Sequence, residues 1–125
     1  MSLLRARVKG VAHDRFASMG PADRVLLTSL RQMRDLRALA LRVAEGALVG
    51  LGNRDEIAAA RRECADLDHV MFVEGDRADI PWVDAWFDLI LDESPDAPTP
   101  AMLRVLRPGG RIAAAPDTAG SEPAA

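Results

Sequence analysis

The stretch from Val70 to Ala115 decides the fold of this chain. It contains Val-Met-Phe-Val-Glu-Gly-Asp at 70–76, Ile-Pro-Trp at 80–82, Trp-Phe-Asp-Leu-Ile-Leu at 86–91 and Leu-Arg-Val-Leu-Arg-Pro-Gly-Gly-Arg-Ile at 103–112. Short continuous apolar runs predict buried strands, and a Pro-Gly pair after a periodic apolar segment predicts a helix end followed by a turn. The stretch therefore predicts a strand, an acidic turn, a second strand, a helix and a third strand.

The residues before this stretch continue the alternation of strands and helices. The pattern predicts strands at 24–30 and 47–51 and helices at 31–45 and 54–65. Gly46 stands where a C-cap glycine would end the first helix, and Asn53 stands where an N-cap would begin the second. Cys64 lies near the end of the second helix among alanines and is predicted to be a small buried residue.

The downstream elements complete an α/β pattern. We predict strands at 70–73, 87–91 and 111–115 and a helix at 99–106. Apolar strands that alternate with helices indicate a doubly wound α/β fold with a mainly parallel five-stranded sheet. The predicted organisation is an N-terminal helix or arm at 1–22, one α/β domain at 23–116 and a flexible tail at 117–125.

The composition limits the kinds of partner and site. The chain has 125 residues and a net charge of −3, which gives no reason to expect nucleic acid or an anionic membrane as a partner. No apolar run is long enough for a bilayer span and no signal peptide is visible, so we predict a cytoplasmic location. A single cysteine and two histidines without ligand spacing give no disulfide and no metal site.

The elements from Val70 onward resemble the second half of the class I S-adenosylmethionine (SAM) dependent methyltransferases. Arg107-Pro108-Gly109-Gly110 is similar to the helix-to-strand turn of that family. The resemblance implies a Rossmann-like fold with ligands beyond the carboxyl ends of the strands. It also implies that Asp76 hydrogen-bonds the adenine amino group and that the backbone of Arg77 holds the ring. A local interpretation stays open, in which Asp76 caps a helix that follows it.

The first strand does not match the family. The resemblance places Leu27 where the family has an acidic residue, and it places Ser29, Arg31 and Met33 where the family has glycines. Those glycines let the backbone approach the methionine part of SAM without Cβ atoms in the way. The mismatch predicts a plain strand-to-helix turn without a ligand.

The second strand offers only partial substitutes. Gly52 occupies the position of the family's Asp or Glu, whose carboxylate accepts both ribose hydroxyls, and only Asn53 or Asp55 could partly substitute for it. The candidate cofactor contacts are therefore Asp76, Arg77, Gly52 and Asn53, with SAM as the cofactor if one binds at all.

The same segment permits a different interpretation. Gly50-Leu-Gly52 after a strand and before a helix has part of the form of a dinucleotide fingerprint, and Glu74 lies near the spacing of a ribose-binding acid. Asp55 replaces the third glycine, and its carboxylate would repel a pyrophosphate.

The turn after the fourth strand is acidic. Asp92, Glu93 and Asp96 have the chemistry of a general base or of a group that attracts a cation, although acids on a loop are also common as solvated residues. We assign no catalytic residue. Trp82 and Trp86 are interpreted as packing residues.

Members of the family continue with a further helix and two strands after the fifth strand. We therefore expect an uncovered edge at the fifth strand and a protein partner, either a copy or a different chain, that covers it. The missing glycines and acids favour a methyltransferase-like accessory, scaffolding or regulatory subunit that has lost SAM binding. An active SAM-dependent methyltransferase with an atypical loop and a small dinucleotide-binding module remain as alternatives.

Overall fold

The computed structural model describes residues 19–30 and 35–113. The predicted N-terminal arm falls almost entirely outside these residues, as do the tail and positions 31 and 33. The elements in chain order are β1 (Arg24–Leu27), α1 (Leu36–Arg42), β2 (Ala47–Gly52), α2 (Arg54–Glu63), β3 (Val70–Glu74), β4 (Phe87–Leu91), α3 (Pro100–Val105) and β5 (Leu106–Ala113).

The five strands form one sheet in the order β3-β2-β1-β4-β5, and every neighbouring pair is parallel. The chain builds outward from β1 to β3 on one side, then crosses to β4 and β5 on the other. This confirms the predicted doubly wound, five-stranded α/β sheet. The strand order reverses at β1, so the crevice for a ligand in such a fold lies beyond the carboxyl ends of β1 and its neighbours.

Both faces of the sheet are packed, as continuous apolar strands require. On one face, Val25 and Leu27 of β1 lie in a core cluster with Leu39 of α1 and Ile57 of α2. On the other face, Leu26 lies in a second cluster whose buried residues include Ile80, Met102 and Val105. Alternate residues of one short strand therefore serve two separate cores, which fixes the strand register.

The N-terminus of α2 is capped as the sequence predicts. The side chain of Asn53 accepts a hydrogen bond from the backbone N–H of Glu56 at 2.9 Å, and the carboxylate of Glu56 accepts one from the backbone N–H of Asn53 at 2.8 Å. This reciprocal pair is a capping box, and it satisfies two backbone donors at the end of the helix.

The prediction that Gly46 is a helix C-cap glycine is wrong. Helix α1 ends at Arg42 with Val43 as its C-cap, and Gly46 is not in the left-handed region. A Cβ atom on Gly46 would lie 2.1 Å from the carbonyl oxygen of Asp23 and 2.6 Å from backbone atoms of Ala22. Glycine is required here because the segment that leads into β1 passes directly over it.

The Pro-Gly-Gly turn lies within β5, which differs from the prediction that Pro108 ends the preceding helix. Helix α3 ends at Val105, and Phe87 of β4 pairs with Leu106 while Leu89 pairs with Arg111. The extra residues between these two pairs form an irregularity in β5. Gly109 has a φ of 85°, a conformation that favours glycine.

No helix forms in the described connection between β3 and β4. Trp82 and Trp86 pack against each other and against Phe87, with ring centroids 5.1 to 5.9 Å apart. The guanidinium of Arg24 lies 4.5 Å from the centre of a Trp86 ring. The two tryptophans thus cover the start of β4 as packing residues, in agreement with their interpretation from the sequence.

Candidate functional site

A cavity of about 610 Å³ lies at the carboxyl ends of four strands. Thr28 follows β1, Gly52 ends β2, Gly75 follows β3 and Asp92 follows β4. The remaining lining residues are Ser29, Leu51, Asn53, Glu56, Asp76, Arg77, Glu93, Ser94 and Pro95. The cavity therefore occupies the crevice in which doubly wound sheets bind ligands.

The structure brings the four predicted cofactor contacts together. Gly52, Asn53, Asp76 and Arg77 all line this cavity although they come from two separate segments of the chain. Because the ends of parallel strands meet at one edge of a sheet, two loops more than twenty residues apart converge there. What these residues bind stays a prediction.

At the carboxyl end of β2, the carboxylate of Glu56 lies beside Gly52. A Cβ atom on Gly52 would lie 2.8 Å from Oε1 of Glu56. Glu56 lies one turn into α2, and its carboxylate is held by the backbone N–H of Asn53. The cap thus places an acidic group next to the position where the resemblance implies a strand-end acid, although Gly52 itself carries none.

The carboxylate of Asp76 closes a local turn. Its Oδ1 accepts hydrogen bonds from the backbone N–H groups of Ala78 at 2.8 Å and Asp79 at 3.0 Å. Asp76 and Asp79 also form an isolated backbone bridge. The interpretation of Asp76 as the cap of a following helix is wrong, since the chain makes an Asp-stabilised turn here instead.

Arg77 extends from the β3–β4 connection to the end of β4. Its Nε and Nη2 donate to the two carboxylate oxygens of Asp92 at 3.1 and 2.8 Å, which is a bidentate ion pair. Nη2 also donates to the backbone carbonyls of Asp96 and Ala97 at 3.2 and 2.9 Å. The hydroxyl of Thr99 donates to the carbonyl of Arg77. One arginine thus joins two loops at the mouth of the cavity.

Asp92 is the buried centre of this network. Its side chain is 5% exposed, against 23% for Arg77, and Oδ1 also accepts a hydrogen bond from the hydroxyl of Thr28 at 2.8 Å. Burial alone raises the pKa of Asp92, but the bonds from Arg77 and Thr28 outweigh it and the pKa lies below its usual value. The hydrogen bond to Asp92 raises the pKa of Arg77. Both groups are charged at neutral pH.

The network changes the interpretation of the acidic turn. Asp92 was a candidate for a general base or a cation site, but its two carboxylate oxygens are occupied by Arg77 and Thr28. Asp96 contributes a backbone carbonyl to Arg77. We name the contacts among Thr28, Asp92 and Arg77 the latch.

The predicted contacts did not include Glu56 and Thr28, which both line the cavity. Glu56 had a visible signal, since Asn53 followed three residues later by Glu is a capping-box pattern. Thr28 had none, because its partner Asp92 is 64 residues away. The Arg77–Asp92 pair spans 15 residues and two strand ends, so no local spacing rule indicates it.

The first strand differs from the implied cofactor loop in its packing. Leu27, at the implied acidic position, is 2% exposed and belongs to the apolar core. Ser29 lines the cavity. A core leucine cannot act as an acidic ligand group, so this strand supplies no charged contact.

Gly50 is a packing residue within β2. It pairs with Leu27 on one side and Phe72 on the other. A Cβ atom on Gly50 would lie 2.7 Å from Leu30 and 3.0 Å from Phe72 side-chain atoms. The first glycine of the proposed dinucleotide fingerprint therefore lies inside a strand rather than in a phosphate-binding turn.

Two further searches gave negative results for the part of the chain that the structure describes. Within residues 19–30 and 35–113, no group of three His, Cys, Asp or Glu side chains is placed to hold a metal ion. In the same ranges no helix combines the length and apolar character needed to cross a membrane.

Comparison of sequences gave no match, either to a family model or to a curated protein. Comparison of structures did. The YcgJ protein from Bacillus subtilis superposes with a TM-score of 0.61 at 18% identity, over 83% of this chain and 49% of that one. A SAM dependent methyltransferase from Aquifex aeolicus superposes with a TM-score of 0.63 at 17% identity, over 81% of this chain and 59% of that one.

A third similar structure is a chain in the complex that contains the Haloferax volcanii Trm112 methyltransferase activator. It has a TM-score of 0.62 at 26% identity and covers 85% of this chain and 51% of its own length. The present chain thus spans about half the length of the solved structures that it matches. The similarity covers 81–85% of this chain and supports the fold rather than a particular activity.

Proposed function

We propose that this chain, which has the fold of class I SAM-dependent methyltransferases, is a methyltransferase-like protein that does not use SAM and acts as an accessory subunit. A shared fold does not carry an activity with it, so the proposal depends on the groups at the site. The relevant groups are those at the ends of β1, β2 and β4.

The observation that carries the proposal is the latch. Its charged and hydroxyl groups satisfy one another within the chain: Asp92 accepts from Arg77 and Thr28, and Arg77 also bonds to two loop carbonyls. A ligand that displaced Arg77 from Asp92 would have to break a bidentate ion pair whose carboxylate is 5% exposed. The latch thus joins the ends of β1 and β4 to the β3–β4 connection through groups of this chain alone.

The implied SAM contacts do not fit at two of the strand ends. Leu27 is buried in the core where an acid is implied, and Gly52 has no side chain where the ribose acid is implied. Asp76 remains at the third strand end, but its Oδ1 already holds a turn. We therefore derive no reaction step through SAM at this cavity.

Ligand titration tests this proposal directly. We expect isothermal calorimetry at pH 7 with SAM, S-adenosylhomocysteine, NAD and ATP to give no saturable heat up to about 1 mM, equivalent to a binding free energy weaker than about −4 kcal/mol. Arg77→Ala serves as a comparison, because it removes the guanidinium from the cavity mouth. Saturable SAM binding by the unmodified protein that is lost in Asp76→Ala would contradict the proposal.

One observation favours the alternative of an active SAM-dependent methyltransferase. Oε1 of Glu56 lies 2.8 Å from the place of a Gly52 Cβ, so helix α2 presents a carboxylate close to the implied ribose position. Under this alternative, SAM binding would weaken in Glu56→Gln and stay unchanged in Glu45→Gln, whose side chain does not line the cavity. The same titrations therefore separate the two candidates.

The dinucleotide-binding alternative receives less support. Gly50 is confined to a strand by close contacts with Leu30 and Phe72. The first turn of α2 carries Asp55 and Glu56, and negative charge at that helix end opposes a pyrophosphate. A protein that binds NAD but does not bind SAM would support the dinucleotide-binding alternative.

An accessory role also requires a partner, and we propose that a second protein chain covers β5. This strand is at one end of the sheet, and among the described residues only β4 pairs with it. Unpaired strand edges tend to be covered in native proteins. A structural relative occurs in a complex with the Trm112 activator, which gives an example of a protein partnership on this fold.

Size-exclusion chromatography with light scattering checks this partner. The protein purified from its own host is expected to elute with a mass larger than that of the single 13.5 kDa chain. Because residues 106–113 carry no lysine, carboxylate or thiol, a photoreactive residue placed at position 111 supplies the cross-links, which should join β5 to the partner. A stable single chain in that preparation, with no cross-links at β5, would contradict the proposed partner.

A further inference from the structure

The opposite edge of the sheet is formed by β3, and within residues 19–30 and 35–113 only β2 pairs with it. The backbone N–H of Leu48 donates to the carbonyl of His69, and the N–H of Gly75 donates to the carbonyl of Gly52. These bonds show that the odd-numbered residues of this segment face β2. In a parallel strand the alternate residues face away. The backbone groups of Val70, Phe72 and Glu74 therefore point outward.

One side chain occupies part of this outward row. Nη2 of Arg61 donates to the carbonyl oxygen of Phe72 at 3.3 Å. Arg61 belongs to α2, which packs on β3, so the helix supplies a movable donor to the strand edge. A side chain placed on an edge carbonyl protects that edge against uncontrolled pairing, and it can also be exchanged for a backbone donor.

A groove runs between α2 and this edge. Two adjoining cavities of about 550 and 310 Å³ share Arg61 and Phe72 as lining residues. The groove is lined by two small exposed residues, Ala58 of α2 and Ala65 just after the helix, and by Met71 of β3, which is 51% exposed. Small residues let another backbone approach the helix, so the groove has room for an extended chain.

The charged groups of the groove favour an acidic occupant. The groove is lined by two arginines, Arg54 and Arg61, and by one carboxylate, that of Glu74. Neither arginine has an ion pair with any residue that the structure describes. The two arginines are seven residues apart in α2, which separates them by about 10 Å along the helix axis. Carboxylates at alternate positions of an extended chain would lie within reach of both side chains.

We infer that the outward edge of β3, together with the Arg54–Arg61 face of α2, docks an acidic extended segment of another protein as an added strand. A backbone N–H of the incoming segment donates a hydrogen bond to the carbonyl of Phe72. Arg61 leaves that carbonyl and pairs with a carboxylate of the segment instead. This mode combines main-chain hydrogen bonds with charge selection. It is independent of SAM and uses the edge opposite to β5.

Charge also argues against a second copy of this chain at the same edge. A two-fold axis through paired β3 strands would bring the arginines of both grooves to one interface. Like charges at an interface disfavour association. The occupant is therefore a different chain with carboxylates along its length.

The probe for this inference is a nine-residue peptide of alternating valine and glutamate with blocked ends, and the control probe has lysine in place of glutamate. We expect the glutamate peptide to shift the ¹⁵N–¹H resonances of Val70, Phe72 and Glu74 selectively. We expect its affinity to fall as salt is raised from 50 to 500 mM, because exposed charges are screened. The lysine peptide should give no shifts at these residues.

Matched variants separate charge from fold. Arg61→Glu is expected to weaken the glutamate peptide about tenfold, since an attractive charge becomes repulsive and about 1.4 kcal/mol corresponds to that factor. Arg62→Glu makes the same charge change on the neighbouring residue, which does not line the groove, and should weaken binding less than about twofold. Glu74→Pro and Glu74→Ala both remove the carboxylate of Glu74, but only the proline also removes the outward N–H, so Glu74→Pro should bind the peptide more weakly than Glu74→Ala.

Several results would overturn the inference. These are the absence of selective shifts at β3 up to millimolar glutamate peptide, equal binding of the lysine peptide, or equal losses in Arg61→Glu and Arg62→Glu. A dimer of the unmodified protein that dissociates on Glu74→Pro would assign the edge to a second copy instead. Urea unfolding of each variant excludes loss of the fold as the cause.

Discussion

Replacement of Gly46 by alanine is expected to lower the free energy of unfolding by about 4 kcal/mol, the largest effect we predict for a single methyl group in this chain. The added Cβ would lie 2.1 Å from the carbonyl oxygen of Asp23 and 2.6 Å from backbone atoms of Ala22. These are backbone atoms, so no side chain can rotate away to make room. Relief requires movement of the segment that enters β1.

The measurement is urea unfolding at pH 7, together with a thermal melt. A loss of about 4 kcal/mol corresponds to a fall of roughly 15 °C in the melting temperature of a domain of this size. Gly20→Ala is the matched control, since the nearest atom to its added Cβ is 3.7 Å away. That variant should lie within about 0.5 kcal/mol of the unmodified protein. Equal stability of Gly46→Ala and Gly20→Ala would contradict the close contact between Gly46 and the backbone of Ala22 and Asp23.

Replacement of Asp92 by alanine has the second largest expected effect, a destabilisation of about 3 kcal/mol. Removing one partner of a buried ion pair costs about 3–5 kcal/mol because the other charge is left without compensation. Arg77 is 23% exposed and retains bonds to two carbonyls, which places the cost at the low end. Asp96→Ala, in the same loop with an exposed side chain, should change stability by less than about 0.5 kcal/mol.

The pH dependence provides a second measurement of the latch. The pKa of Asp92 is lower in the folded chain than its ordinary value near 3.9. Its contribution is therefore fully present above that ordinary pKa and is lost as the pH falls through the lower folded value. The stability gap between the unmodified protein and Asp92→Ala should be largest at pH 7 and should narrow below about pH 4. A gap that stays constant with pH would contradict the role of the ion pair.

The accessory role and the strand-addition site involve opposite edges of the sheet. The accessory role uses the side of β5, and the strand-addition site the side of β3, that pairs with no other strand of the described residues. Failure of the peptide at β3 would leave the accessory role intact, because that role depends on the latch and on the absence of SAM binding. Binding of SAM would remove the accessory role and leave the β3 groove unaffected.

Some site features followed from local spacing and others did not. The Asn53–Glu56 cap and the turn at Asp76 involve residues two or three apart, so their chemistry is visible in the sequence. The expectation of a helix after Asp76 failed because Ile80, Trp82 and Trp86 pack this connection onto the sheet instead. The Arg77–Asp92 pair depends on the meeting of two strand ends, which no local rule provides.

The amino-acid sequence by itself determined the alternation of apolar strands and helices, the two-faced core and the parallel sheet. Those features follow from the period of apolar residues and from local caps, which act over a few residues. The tertiary structure alone decided that Gly46 lies against the entry to β1, that Asp92 is bound by Arg77 and Thr28, and that Arg61 bonds the outward carbonyl of Phe72. Each of these depends on segments far apart in the chain whose distances are set only once the sheet has formed.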